Sequence, residues 1–211
     1  IIFIAALSFF TAGAIGSLLL KKNDAAANMW SSVFAILGSL CGLFFATTVF
    51  INGYTLSFSK DISALPLLSI AFHIDKLSAF FIFIISLISL FCSIYATGYI
   101  NTYYKRYNIG ALGLFYNLFI AGMLLVVTAA NGIWFLLAWE IMSLASYFLV
   151  VYDRRDRQNV KAGYVYLIMT HAGAAGILLA MVLLFKYTHS FDFEAIRAHI
   201  QDVPPLAMSA V

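Results

Sequence analysis

The sequence predicts an all-α membrane protein, a polytopic bundle of about six transmembrane helices with one short extended hairpin. Three observations lead there. Of the 211 residues, 64% are hydrophobic and only 10% are charged, against about 45–50% apolar and about 25% charged in soluble domains. The mean hydropathy is +0.97. The apolar residues gather in six runs, each near the ~20 residues that a bilayer-spanning helix needs. So few charges cannot cover a water-facing surface, which excludes a soluble globular enzyme. Disordered chains have the opposite composition. A net charge of only +3 gives no reason to expect a nucleic-acid partner.

The runs follow in order. Span one covers residues 1–20 and stops at Lys21-Lys22-Asn23-Asp24. Span two covers 30–51 and stops at Asn52-Gly53. Residues 52–74 form an outer-side loop of another kind. Tyr54 to Ser59 alternate in polarity, and Lys60, Asp61 and Pro66 interrupt any helix. Alternation points to a short extended hairpin. Span three covers 75–99, opening with Asp75, an acid suited to a helix N-terminus. Span four covers 111–130, and Asn131-Gly132 marks a turn. Span five covers 133–152 and closes at Asp153-Arg154-Arg155-Asp156-Arg157. Span six covers 160–187, and Ser190 to Gln201 reads as a short interfacial helix. The whole of 1–211 reads as one membrane domain. It starts inside an apolar run and stops at Pro204–Val211 as apolar character returns, so it reads as a fragment cut at both ends.

Orientation follows from Lys and Arg, which collect in short cytoplasmic loops. With the first loop inside, eight cations are cytoplasmic: Lys21, Lys22, Lys105, Arg106, Arg154, Arg155, Arg157 and Lys161. Four remain outside: Lys60, Lys76, Lys186 and Arg197. Cys41 and Cys92 sit in apolar runs and read as small buried hydrophobes. No spacing suggests a metal or iron–sulfur centre.

One charge sits deep in a span. Glu140 lies mid-way along the fifth run, where a carboxylate costs about 2.5–3.5 kcal/mol to insert. Desolvation raises the pKa of such a group and a nearby cation lowers it, so it can take up and release a proton. The bland alternative is a neutral Glu held by one structural hydrogen bond. Ser143 at i+3 and Tyr147 at i+7 extend a polar stripe on the same face. His171 lies at a comparable position in the sixth span, and imidazole titrates near pH ~6.5. It reads either as a relay partner of Glu140 or as a neutral His bonded to backbone. Lys161 reads as a snorkelling span-end lysine or as a cation on the same pathway. Ala172-Gly173-Ala174-Ala175-Gly176, with Gly13 and Gly16, reads as close helix packing.

The run Trp139-Glu140-Ile141-Met142-Ser143-Leu144-Ala145-Ser146-Tyr147-Phe148-Leu149-Val150, with Phe72-His73-Ile74-Asp75-Lys76-Leu77-Ser78 upstream, resembles the antiporter-like membrane subunits of complex I, Mrp antiporters and membrane-bound hydrogenases. Lys161-Ala162-Gly163-Tyr164 and Thr170-His171-Ala172-Gly173 look most like the hydrogenase-4 component B and formate hydrogenlyase subunit 3 branch. The resemblance implies a fourteen-helix fold of two inverted five-helix repeats, of which this chain supplies the first six helices. It also implies that Glu140 is the proton-handling acid, facing a lysine on a broken helix beyond Val211. His171 would link toward the following site, and Lys161 is a weaker carry-over.

The implied role is a non-catalytic, proton- or Na⁺-translocating subunit of a hydrogenase or formate hydrogenlyase complex in the cell inner membrane. It would hold no cofactor itself. Nickel–iron and iron–sulfur centres would sit in partner subunits, alongside other membrane subunits and a peripheral hydrogenase module. The alternatives are a complex I or Mrp-type Na⁺/H⁺ subunit, and a non-transporting scaffold in which Glu140 and His171 are dispensable.

Overall fold

A computed structural model describes residues 1–61 and 69–199. Pro66, Gln201 and the Pro204–Val211 stretch lie outside the described residues. The described chain forms seven helices and one hairpin: α1 Ile2–Leu19, α2 Asp24–Asn52, β1 Leu56–Asp61, β2 Ser69–Ile74, α3 Lys76–Tyr99, α4 Ile109–Thr128, α5 Gly132–Val150, α6 Arg157–Thr188 and α7 Phe193–Ala198. A 3-10 turn, Ile100–Tyr103, continues α3. Helices α1 to α6 are all long and apolar enough to cross a bilayer, and the protein is a multi-pass membrane protein.

Local chemistry explains where the helices begin. A free N-terminal turn leaves amide hydrogens without partners, and a short polar side chain just before it accepts them. Asn23 caps α2 by accepting from the Ala26 amide at 3.1 Å. Asp75 caps α3 through Ser78 at 2.8 Å, and Asn108 caps α4 through Ala111 at 3.0 Å. Asn131 caps α5 through Ile133 at 2.9 Å, and Asp156 caps α6 through Gln158 at 2.8 Å. The Asn23 cap starts α2 at Asp24, six residues before Trp30. The added turn is rich in alanine, a strong helix former, and Ala27 is fully buried.

The hairpin between α2 and α3 is antiparallel, with Leu56 opposite Ile74 and Phe58 opposite Phe72. It is tied to two other segments at the same end of the bundle. The Ala130 amide donates to the Ala71 carbonyl at 2.9 Å, and the Phe193 amide to the Ala130 carbonyl at 3.0 Å. Gly132 donates to the Phe191 carbonyl at 2.8 Å. At the other end the Lys105 amide donates to the Asp24 carboxylate at 2.7 Å, and Asn28 donates to the Tyr104 hydroxyl at 3.0 Å.

The main core joins α1 to α4 and β2, around Phe10, Val49, Ile82, Ile120 and Leu124. A polar seam runs within it. The buried Asn117 amide donates to Ser31 Oγ at 2.8 Å and to the Gly113 carbonyl at 3.0 Å, and Ser17 donates to the Gly110 carbonyl at 3.2 Å. Such bonds join helices where apolar attraction offers little advantage over lipid.

Two sequence expectations need correction. Neither cysteine is fully buried: Cys41 is half-buried on α2, and Cys92 is exposed on α3, pointing away from the helices α3 packs against. The small-residue patch on α6 packs within the chain only at Ala174. Gly173 and Gly176 face open space, because α6 meets only α5 and α7 in any extent. Gly13 and Gly16 do pack closely, against Asn117 and Trp30.

The Asp75 cap carries a testable pH dependence. The Ser78 amide, bonded to the carboxylate, holds its pKa below the ordinary carboxylate value. A carboxyl group with a depressed folded-state pKa stabilises above its unfolded value and loses that contribution as pH falls through the folded one. Asp75→Ala is expected to cost about 1 kcal/mol at neutral pH, and the difference from wild type should shrink below pH about 4. Asp75→Asn should keep most of the cap without that pH dependence. Thermal unfolding in detergent micelles, followed by circular dichroism across pH, checks both.

Candidate functional site

Glu140 is the ninth of nineteen residues in α5, and His171 the fifteenth of thirty-two in α6. Their helices meet along a seam whose register two glycines define. Gly163 of α6 sits against Val151 and the Tyr147 ring, and Gly132 of α5 sits against Met181 of α6. Between these two close approaches, Glu140 Oε2 and His171 Nε2 stand 3.3 Å apart. This is the one ion-pair contact among the described residues. The side chains are 33% and 48% exposed, because the far face of α6 is uncovered within the chain.

The other imidazole nitrogen determines what the contact means. His171 Nδ1 lies 2.9 Å from the Leu167 carbonyl oxygen, one turn earlier on α6. A carbonyl only accepts, so Nδ1 carries a hydrogen. In a neutral imidazole, Nε2 would then be a bare lone pair facing Glu140. Set against an ionised carboxylate, that arrangement is repulsive. The pair is therefore favourable only with a further proton on it, as imidazolium with carboxylate or as imidazole with carboxylic acid. One proton shared between Nε2 and Oε2 satisfies both groups at this separation.

The other candidates stand differently. Ser143 is buried, and its hydroxyl donates to the Glu140 backbone carbonyl at 3.1 Å, so it is committed to its own helix. Tyr147 packs its ring edge-on to Phe148, with centroids 5.3 Å apart, and against Gly163. It serves the seam's register. Lys161 is exposed, ten residues before His171 and so about 15 Å away along α6. The structure thus brings Glu140 and His171 together and leaves Lys161 apart from them. The sequence sets a backbone bond against a Glu140 contact for His171; the structure shows both, and adds which carbonyl it is, that of Leu167. The i−4 spacing on a helix was the available signal. Among the described residues no three His, Cys, Asp or Glu side chains gather as a metal site.

Comparison with known proteins follows the same lines. Residues 129–209 match the family model described as NADH:quinone oxidoreductase/Mrp antiporter, TM, a range containing both Glu140 and His171. Residues 64–108 match that described as NADH-Ubiquinone oxidoreductase (complex I), chain 5 N-terminus. Hydrogenase-4 component B of Escherichia coli is 32% identical over 183 residues, 87% of this chain and 27% of that protein. NADH-quinone oxidoreductase subunit N of Acinetobacter baumannii is 31% identical over 122 residues, 58% of this chain and 24% of that protein. The chain thus spans about a quarter of the length of these curated relatives. A chain in the solved Mrp complex from Dietzia sp. covers all of this one with a TM-score of 0.80 at 20% identity, using 22% of its own length. That likeness is one of fold.

Proposed function

Because the chain belongs to the antiporter-like membrane-subunit family of complex I, Mrp antiporters and membrane hydrogenases, we propose that it forms part of a proton-translocating subunit of a membrane-bound hydrogenase complex. The observation that carries this reading is the 3.3 Å contact between Glu140 and His171, with Nδ1 of the histidine already committed to Leu167. In this reading the proton passes between Nε2 and Oε2, and movement of charge elsewhere in the complex sets which of the two holds it. Partner membrane subunits and a peripheral hydrogenase module supply the electron transfer, with nickel–iron and iron–sulfur centres in those partners. The complex sits in the cell inner membrane, with the Lys21, Lys105 and Arg154 end in the cytoplasm. Identity of 32% across 87% of the chain to hydrogenase-4 component B supports the hydrogenase assignment. The reading does not extend to formate as electron donor.

A second reading is a complex I or Mrp-type subunit, which the descriptions of both family models favour. One experiment separates the readings. Inside-out membrane vesicles containing the whole complex are energised with hydrogen-linked electron carriers or with NADH, and proton uptake is followed with a pH-sensitive dye. Under the hydrogenase reading only the first energises uptake, and Glu140→Gln reduces that uptake by about a hundredfold with the complex still assembled. Undiminished uptake in the Glu140→Gln vesicles rules out the proton role of this pair. Uptake driven by NADH moves the assignment to complex I.

A further inference from the structure

A second site lies at the cationic end of the bundle, away from Glu140 and independent of its role. The segment entering α4 and the segment leaving α5 meet there around a groove of about 420 Å³. Arg106, Arg154 and Arg155 form its rim, Tyr107 its shoulder, and Phe115 with Phe148 its apolar wall. The two phenyl rings stack with centroids 4.4 Å apart. The Arg155 guanidinium is held over the Tyr107 ring, 5.8 Å from its centroid. Among the described residues no carboxylate lies within ion-pair distance of any of the three guanidiniums, and no acidic side chain lines the groove. Asp153 stands beside Tyr107, and chiefly their hydrogen-bond contact pushes the phenol pKa up. Asp153 also accepts from the Arg155 amide at 3.1 Å and Asp24 from the Lys105 amide at 2.7 Å, so these carboxylates engage backbone and phenol and leave the guanidiniums free of ion pairs among the described residues.

Position matters as much as charge. Asn108 caps α4 and Val150 ends α5, so the arginines lie at the helix ends, at headgroup depth. Phe115 lies six residues past the start of α4 and Phe148 two residues before the end of α5, about 9 Å and about 3 Å inward of those ends, so the apolar wall they form lies on the hydrocarbon side of the arginine rim. A guanidinium fork matches a phosphate's oxygens, and basic pockets between spans on the cytoplasmic side suit anionic headgroups. We propose that this groove binds one anionic phospholipid, its phosphate between Arg106, Arg154 and Arg155 and an acyl chain along Phe115 and Phe148. A free phosphate would use the rim and ignore the wall. An acidic protein segment would use the rim and need no acyl chain. The apolar continuation of the groove favours the lipid.

The test uses the full chain in nanodiscs of phosphatidylcholine with a minority of phosphatidylglycerol, and counts retained lipid by native mass spectrometry. Wild type is expected to retain one phosphatidylglycerol. At about fivefold per guanidinium, the triple variant Arg106→Gln, Arg154→Gln, Arg155→Gln should bind it about a hundredfold more weakly. A control that removes two cations at the same end, Lys21→Gln with Lys22→Gln, should retain it. Phe148→Ala should weaken retention while leaving the rim intact. Should the triple variant fail to fold, Arg155→Lys, which keeps the charge and loses the fork, should still weaken binding, by less than the roughly fivefold of a lost guanidinium. Four outcomes overturn the proposal: no lipid retained by wild type, retention unchanged in the arginine variants, equal loss in the lysine control, or displacement of the lipid by inorganic phosphate or by an acidic partner segment.

Discussion

Glu140→Gln and His171→Leu, made singly and together, are expected to give three complexes with nearly the same loss of proton translocation. Each single change should reduce the rate by about 10²-fold, and the double variant should fall little further. The reason is the single proton that the contact needs. Without the imidazole, Glu140 has no partner to receive its proton across 3.3 Å. Without the carboxylate, His171 keeps the hydrogen that Leu167 holds on Nδ1 and has no acceptor at Nε2. Residues that act as a unit give losses that do not multiply. The rates are read as initial dye quench in vesicles, normalised to electron transfer. A double variant about 10⁴-fold down would mean that the two groups act on separate steps, and the shared-proton account would fail.

A larger effect on the fold is expected from a position that touches neither group. Gly122 of α4 faces the backbone of Met142 in α5, and a Cβ there would stand 2.9 Å from Met142 Cα and 3.1 Å from its amide nitrogen. Backbone atoms cannot turn aside as a side chain does. Gly122→Leu must push α5 away from α4, and overpacking of this kind costs about 1–3 kcal/mol or more. Met142 is two residues from Glu140, so the same displacement moves the carboxylate relative to His171. Misplacement of a reacting group by about 1 Å can lower a rate about 10²-fold. Gly122→Leu is therefore expected to lower the unfolding temperature in detergent and to lose translocation at least tenfold, with Gly122→Ala intermediate. Gly98→Ala, whose Cβ meets nothing within 4 Å, should leave translocation unchanged and raise the unfolding temperature slightly. Normal translocation in Gly122→Leu would show that the seam tolerates movement.

Much of the fold was legible because its boundaries are chemical. Asp75 announces the start of α3 as an N-cap, and the alternation from Tyr54 announces the hairpin; Asn23, Asn131 and Asp156 read in sequence as span ends or a turn, and their capping role shows only in the structure. The span ends shift by a few residues where propensity extends a turn, as alanine does at the start of α2. Glu140 was legible because a lone acid in an apolar run is costly. What was not legible depends on pairs distant in the chain. The arginine groove joins Arg106 to Arg154, forty-eight residues apart, and each alone looks like an ordinary topology signal. The polar seam joins Ser31 to Asn117 across two helices. The exposure of Cys92, Gly173 and Gly176 follows from which neighbours a helix has, and periodicity does not state that. The tautomer of His171 needed the Leu167 carbonyl in place.

The separation of Glu140 and His171 onto successive helices also bears on how the protein is made. Chains emerge N-terminus first, at about 5–20 residues per second. The α1–α4 core is complete before α5 follows, and α6 has only α5 and α7 to join. His171 comes thirty-one residues after Glu140, a delay of about 1.5–6 s at those rates. During that interval α5 stands without α6, so the close approaches at Gly163 and Gly132 and the 3.3 Å contact between Glu140 and His171 form last, onto a core that is already built.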